Sequence, residues 1–341
     1  MEQASTPLFF QLSAVFTVIA VAGMLVNAKK HKVPLLSAGL FSLLSIVLGL
    51  FLARIIFCTN PEQSQLLFYD ELGQPKGMQV FWQPLGSGFH VGGFLAGIVL
   101  AAGITRLITK TGFLSLMDSI ALPALFLFAA VRFIEPLSGA DGQTMKGFSD
   151  VVENADFCFS PLFYKLSSMD WDTGETIIQW KLAVHLVEAI FAVIILFALH
   201  RKKFAPGILA MYTAVLFTCS QFLPESLRQD GQLCISIFLR VSYISYGVLF
   251  GCTLLFLMYR AWKHGAPLLR LAGETLLVLV CMGLFVLFEF ALDGKVTLFP
   301  EETDNSLKRT LLYAFMALSL TGMAFITCRR IHKENKVCLA E

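Results

Sequence analysis

The sequence predicts an all-α polytopic membrane protein of about nine transmembrane helices, with the N-terminus outside and the C-terminus cytoplasmic. Three observations predict it. Hydrophobic residues make up 56% of the 341 positions and charged residues only 15%, with a mean hydropathy of +0.71, a balance foreign to ordinary soluble domains. Apolar runs of about 20 residues recur along the chain, each enough for a helix to cross a hydrocarbon core of roughly 30 Å. The loops between these runs alternate between basic and acidic. Backbone groups in lipid must pair internally, and the runs are continuous rather than alternating, so helices are favoured over a barrel.

The runs place spans at about 8–27, 35–57, 89–109, 114–133, 178–199, 206–223, 235–259, 267–292 and 308–328. Met1 to Pro7 carries a single charge, Glu2, and no basic residue, so the first run reads as a retained helix rather than a cleaved signal peptide. The spans are rich in Gly and Phe, and small residues let helices approach closely, which points to a packed bundle. One set of loops holds Lys29, Lys30 and Lys32, then Arg106 and Lys110, Arg201 to Lys203, Arg260, Lys263 and Arg270, and finally Arg329, Arg330, Lys333 and Lys336. The alternate set holds residues 61–80, 134–177, 224–234 and 293–307, which are acidic or short of basic residues. The basic set belongs in the cytoplasm.

Several function classes fall away. A net charge of +2 gives no sign of a nucleic-acid partner. The eight cysteines, at 58, 158, 219, 234, 252, 281, 328 and 338, form no CxxC pair and read mainly as small apolar residues. No metal-ligand spacing and no soluble catalytic domain is legible, so neither a metal nor a cofactor is expected.

The chain is organised around Gly86 to Gly139, which opens G-S-G-F-H-V-G-G-F-L-A-G and ends V-R-F-I-E-P-L-S-G. Its two apolar segments carry His90 and Arg132 at their outward ends. Ionisable groups inside a span cost a few kcal/mol and by default mark a site, although near a span end they can also snorkel to the headgroups. Other such residues share that side: Arg54 near the end of span two, Glu225 and Arg228 just past span six, and Arg240 in span seven. His185 and Glu188 sit deeper, three apart on one face of span five. The arginines break the positive-inside pattern together. One explanation is a pocket at the outer-leaflet headgroups that binds an anionic group, since guanidinium meets phosphate with a bidentate fork. The other is ordinary interhelical ion pairing, such as Arg54 or Arg132 with Glu188 or Glu135.

The segment 134–177 is too long for a plain connection and carries Phe148, Phe157, Phe159, Phe163, Tyr164 and Trp171. These aromatics suit either the membrane interface, capping a lipid site, or a folded extracellular cover.

From about Leu12 to Trp262 the order of features resembles the prolipoprotein diacylglyceryl transferase family. Gly49 to Ile55 resembles its G-x-R-I-G stretch, Phe89 to Gly97 its F-H-G-G-L-I-G motif, and Asp118 to Pro123 its D-x-x-A-P helix. Arg132 to Gly139 resembles its G-R-x-G-N-F-x-N-G signature, His185 to Glu188 the end of H-P-x-Q-L-Y-E, and Gln221 to Arg228 its R-x-x-x-E-x-x-R motif. The basic turn Arg201 to Lys203, followed by Gly207 and Tyr212, also falls in order. The chain departs from the pattern at five points. Val91 rather than His90 precedes the Gly-Gly pair, Glu135 replaces Asn, His185 replaces Gln, Leu182-Ala183 replaces His-Pro, and Gln221 replaces Arg. Residues 1–265 form the seven-span part covered by the resemblance; 266–341 add two spans and a cytoplasmic tail.

The resemblance implies a multi-pass enzyme of the bacterial plasma membrane. It would transfer the diacylglyceryl group of phosphatidylglycerol, or another anionic phospholipid, to the lipobox cysteine of a prolipoprotein, releasing glycerol phosphate. It implies His90, Arg132 and Glu188 as catalytic residues, with His90 the base. Arg54, Arg132, Glu135, Gln221, Glu225 and Arg228 would hold the phosphate and headgroup. The partners are the phospholipid, the prolipoprotein signal peptide and the membrane. A second class stands beside it: a non-catalytic homologue that binds anionic lipid or lipopeptide.

Overall fold

The computed structural model describes residues 6–59, 74, 90–138, 145–147, 163–169, 176–227, 234–236, 239–300 and 303–340. Among the described residues nine α-helices carry the fold: α1 (Thr6–Lys30), α2 (Leu35–Cys58), α3 (Val91–Thr109), α4 (Phe113–Ile134), α5 (Val184–Leu199), α6 (Ile208–Leu227), α7 (Val241–Lys263), α8 (Leu268–Leu292) and α9 (Asn305–Ala340). All but α5 are long and apolar enough to cross a membrane. Large apolar side chains such as Val18 on α1, and Leu276, Leu279 and Leu284 on α8, face outward rather than into the bundle. That is the arrangement expected where the solvent is hydrocarbon, and the chain is a helical, multi-pass membrane protein.

The structure revises the predicted bounds at four places. The apolar run predicts span five at 178–199, but α5 begins at Val184; residues 176–183 belong to strand β3 (Thr176–Ala183). This strand pairs antiparallel with β2 (Phe163–Met169) on one edge and β1 (Met145–Gly147) on the other. Thr176-Ile177-Ile178 is β-branched throughout, which suits a strand, and the ladder with β2 takes up its backbone groups. The helix that remains has 16 residues, so it is about 24 Å long and short of a full span. His185 therefore lies in the first turn of α5, not deep in the span. Span seven starts at Val241, after the short strands β4 (Cys234–Ser236) and β5 (Leu239–Arg240). Helix α6 runs to Leu227, so Glu225 lies inside it rather than beyond it. Helix α9 continues to Ala340, and what reads as a cytoplasmic tail is helical. At 36 residues it is about 54 Å long, well beyond a bilayer core. Strictly, then, the fold is all-α only in its spanning part. Within 134–177, Phe163 and Tyr164 fall in β2, while Phe148, Phe157, Phe159 and Trp171 lie outside the described residues.

The core has two parts. Met24, Ala28, Ala38, Phe41, Ile98, Ala101, Ala102 and Leu116 join α1, α2 and α3 to one face of α4. Ala121, Leu125, Ala129, Ile195, Val215, Phe250, Phe285, Met316 and Met323 join the rest of α4 to α5 through α9. The last two helices thus share a core with α4 to α7 rather than standing apart.

Two local devices set the geometry of the site. Helices α2 and α3 touch backbone to backbone through Gly49, Gly93 and Gly97. A Cβ at Gly93 would lie 2.4 Å from the Leu52 carbonyl oxygen, and one at Gly97 2.5 Å from Gly49 Cα. At the opposite, basic end of the bundle, buried Asp118 of α4 accepts from the Gly207 N–H at 2.6 Å and the Ala210 N–H at 2.8 Å. Its carboxylate satisfies donors at the start of α6 that have no intrahelical partner. Gly207, with φ +84°, supplies the turn before that helix.

Candidate functional site

The ends of six helices, on the side of the bundle opposite the basic loops, meet around the first two turns of α7. His90 is the N-cap of α3 and is buried, at 7% exposure. Its own N–H donates to the Ala53 carbonyl on α2 at 3.1 Å, and its Nδ1 accepts from the Gly92 N–H at 3.1 Å. Its Nε2 lies 3.3 Å from Ser242 Oγ on α7. With Nδ1 engaged as an acceptor, the neutral ring carries its proton on Nε2, facing Ser242. Beside Ala53, the guanidinium of Arg54 is buried, at 4% exposure, and lies 5.7 Å from the centre of the Phe57 ring.

Arg132 stands in the last turn of α4. Its Nη1 donates to Glu135 Oε2 at 2.8 Å, one turn on, and its Nε lies 2.8 Å from Glu188 Oε2 on α5. Phe128 lies under the guanidinium at 5.4 Å. Among the described residues, Nη2 makes no hydrogen bond or ion pair. Glu188 is buried, at 1% exposure, and His185 lies buried one turn before it. Tyr246 of α7 is within electrostatic reach of Arg132. Ser242 and Tyr246 are four apart on α7, so one face of that helix connects His90 with Arg132.

A second group adjoins this face through aromatic rings. Phe128 meets Phe217 at 4.9 Å, Phe217 meets Tyr246 at 5.9 Å, and Phe222 contacts both Tyr246 and Tyr243. Phe222 is flanked on α6 by Gln221 and Glu225, both fully buried. Gln221 donates to Ser220 Oγ at 3.2 Å. Arg240, the N-cap of α7, donates to the Glu225 carbonyl and lies 3.9 Å from its carboxylate. Tyr243 donates to Glu289 of α8 at 2.6 Å.

The structure therefore brings Arg132, Glu135 and Glu188 into one ion-pair group, while His90 meets Ser242 one turn from Tyr246 on α7, and Gln221 and Glu225 lie beside Phe222, which contacts Tyr246. Arg54 joins through the Ala53–His90 contact. Arg228 lies outside the described residues. Of the two explanations offered for the arginines, ion pairing is realised at Arg132, with Glu135 and Glu188 both engaged. Ser242, Tyr243, Tyr246 and Glu289 went unnoticed in the sequence. Glu289, an acid near the end of an apolar run, carried a signal of the same kind as Arg132.

Fold and site together define a class: a multi-pass helical membrane protein with a cluster of buried and half-buried ionisable groups at the end of the bundle opposite the basic loops. No family model matches the chain, and no curated protein matches it.

Proposed function

We propose that the protein binds the phosphate of an anionic phospholipid in the outer leaflet of a bacterial plasma membrane and transfers its diacylglyceryl group to a prolipoprotein cysteine. One observation carries this: the guanidinium of Arg132 is held through Nη1 and Nε by two carboxylates, and among the described residues Nη2 has no partner, so it is open to an incoming oxygen. A pre-set donor stabilises charge developing on a phosphate leaving group without reorganisation. In the reaction, the thiolate sulfur bonds to the glyceryl carbon, the carbon–oxygen bond to phosphate breaks, and glycerol phosphate leaves. The resemblance of the motifs to the diacylglyceryl transferases supports the choice of phosphatidylglycerol and of a lipobox thiol.

The thiol proton must go to a base, and an unperturbed thiol titrates near about 8.5. For His90 to accept it at Nε2, the ring proton must first move to Nδ1, which breaks the Gly92 contact. In the structure Nε2 faces Ser242 Oγ at 3.3 Å, so this shift of the ring proton must precede uptake of the thiol proton. With Gln221 in the place of the family's arginine, one charge-assisted phosphate bond is missing. That is worth roughly 1.5–3 kcal/mol, on the order of ten- to a hundredfold in rate.

The second function, a non-catalytic binder of anionic lipid or lipopeptide, is favoured by Gln221, which stands where the resembling motif has an arginine. Complementation of a strain depleted of its own transferase separates the two. Mass spectrometry should find the lipobox cysteine carrying a diacylglyceryl group when this chain is supplied. Growth without modification, or no rescue despite expression in the membrane, favours the binder.

We also propose nine membrane crossings, the short α5 included because the loops on its two sides differ in charge, with the basic end of the bundle in the cytoplasm. Single cysteines at Asp141 and Thr303, in a background lacking the native ones, should react with an impermeant thiol reagent in intact cells. Those at Lys203 and Lys333 should not, and labelling at position 203 would end this topology.

A further inference from the structure

At the basic end, far from the cluster on α7, a second constellation joins α7 to the end of α9. We propose that His264, Glu334 and Cys338 form a binding site for a divalent transition metal, with Zn²⁺ the ion that fits best. Their ligand atoms, one nitrogen, one oxygen and one sulfur, all lie within 4.8 Å of one another.

The local sequence puts each ligand in place. Helix α7 stops at Gly265, whose φ of +82° lets its N–H reach the Trp262 carbonyl at 2.9 Å, while the Ala266 N–H reaches Ala261 at 3.0 Å. This left-handed stop fixes His264 at the helix C-cap, where the carbonyl ends favour a cation. Glu334 and Cys338 are four apart on α9 and share one face. That face is anchored by Asn335, whose Oδ1 accepts from the Ala205 N–H at 2.9 Å. Glu334 is buried, at 3% exposure, an uncommon place for a carboxylate without a purpose.

The chemistry selects the ion. Zinc bonds of about 2.0–2.3 Å in a tetrahedron put ligand atoms about 3.3–3.8 Å apart, within reach of small side-chain rotations here. His264 Nδ1 and Glu334 Oε2 are already 2.8 Å apart. Mg²⁺ and Ca²⁺ require oxygen ligands, whereas a mixed N, O, S set is borderline-soft. Three protein ligands leave a fourth position for water.

The surrounding charges permit it. Arg260 Nη2 donates to Cys338 Sγ at 2.9 Å and would be displaced by the metal, but its Nη1 keeps the Pro206 carbonyl at 2.9 Å. Arg330 lies against the other carboxylate oxygen of Glu334, Oε1, at 3.4 Å. Glu274 of α8 offsets the remaining cations, lying within 4 Å of Arg270, Arg330 and Lys333. An ion-pair clasp accounts for the contacts of Glu334 but leaves unexplained why the histidine and the thiol converge on it. A bound metal would tie the end of α9 to the α7–α8 turn.

The test uses the full chain in detergent, stripped with a chelator and titrated with Zn²⁺ and, separately, Co²⁺. One equivalent of Zn²⁺ should bind and raise the melting temperature, and Co²⁺ should give a thiolate charge-transfer band. Cys338→Ser should remove the band, and His264→Ala should weaken Zn²⁺ binding at least tenfold. Cys281→Ser, away from the site, should change neither. The proposal is overturned if wild-type protein binds no Zn²⁺. It is equally overturned if folded Cys338→Ser and His264→Ala proteins, judged by circular dichroism, bind Zn²⁺ as wild type does.

Discussion

Replacing Gly93 by alanine is expected to destabilise the protein by about 3 kcal/mol or more, the upper range for overpacking. The added Cβ would meet backbone, not side chain: the Leu52 carbonyl oxygen at 2.4 Å and Ala53 Cα at 2.5 Å. Backbone cannot rotate aside, so α2 and α3 must separate. Apolar surface gives helices in lipid no reason to associate, so lost van der Waals contact is not made up elsewhere. Separation also stretches the 3.1 Å bond from the His90 N–H to the Ala53 carbonyl, which seats His90 and Arg54 side by side. Gly97→Ala, with Gly49 Cα at 2.5 Å, should behave alike. Gly103→Ala, on the same helix with nothing within 4 Å, should melt close to wild type. Thermal melting of the purified proteins in detergent reads the difference. A Gly93→Ala protein that melts with wild type would show that α2 and α3 do not pack backbone to backbone at Gly93.

Arg132→Ala is expected to cost about 3–5 kcal/mol, since it strips a buried carboxylate, Glu188, of the cation 2.8 Å away. Arg132→Lys should not restore the wild-type state, because an ammonium cannot hold Glu135 and Glu188 in the fork that Nη1 and Nε make. Stability alone does not separate a structural arginine from a phosphate-binding one. The double variant Arg132→Met, Glu188→Gln removes both charges and should recover much of the melting temperature. Lipid selectivity then decides. If Nη2 receives a phosphate, the double variant binds anionic lipid no better than zwitterionic lipid, measured in nanodiscs of each composition. Retained preference for the anionic lipid in that folded variant would end the phosphate-site proposal.

The sequence by itself determined the class of fold and most of the spans. Residues 35–57, 89–109 and 114–133 were legible within a few positions, because preference for hydrocarbon is a property of each residue, summed along a helix. It also identified Arg132, His90 and Glu188 as unusual, since a charge in an apolar run stands out without any partner being known. Partner choice was a different matter. Arg132–Glu135 is a helix-period pair and was open to reading, but the ion pair of Arg132 with Glu188 depends on how α4 meets α5. Whether Thr176 to Ala183 became strand or helix was fixed by pairing with residues 163–169, because a short apolar run suits either form. The polar stretch Arg329 to Lys336 read as a tail, yet Arg330, Glu334 and Asn335 are buried against α6, α7 and α8. His264 shows no ligand spacing with Glu334 or Cys338 along the chain; only the packing of α9 on the end of α7 makes them neighbours. Hydropathy is a local quantity and survives in the sequence, whereas ion pairs and ligand sets depend on distance through space, which only the packed bundle defines.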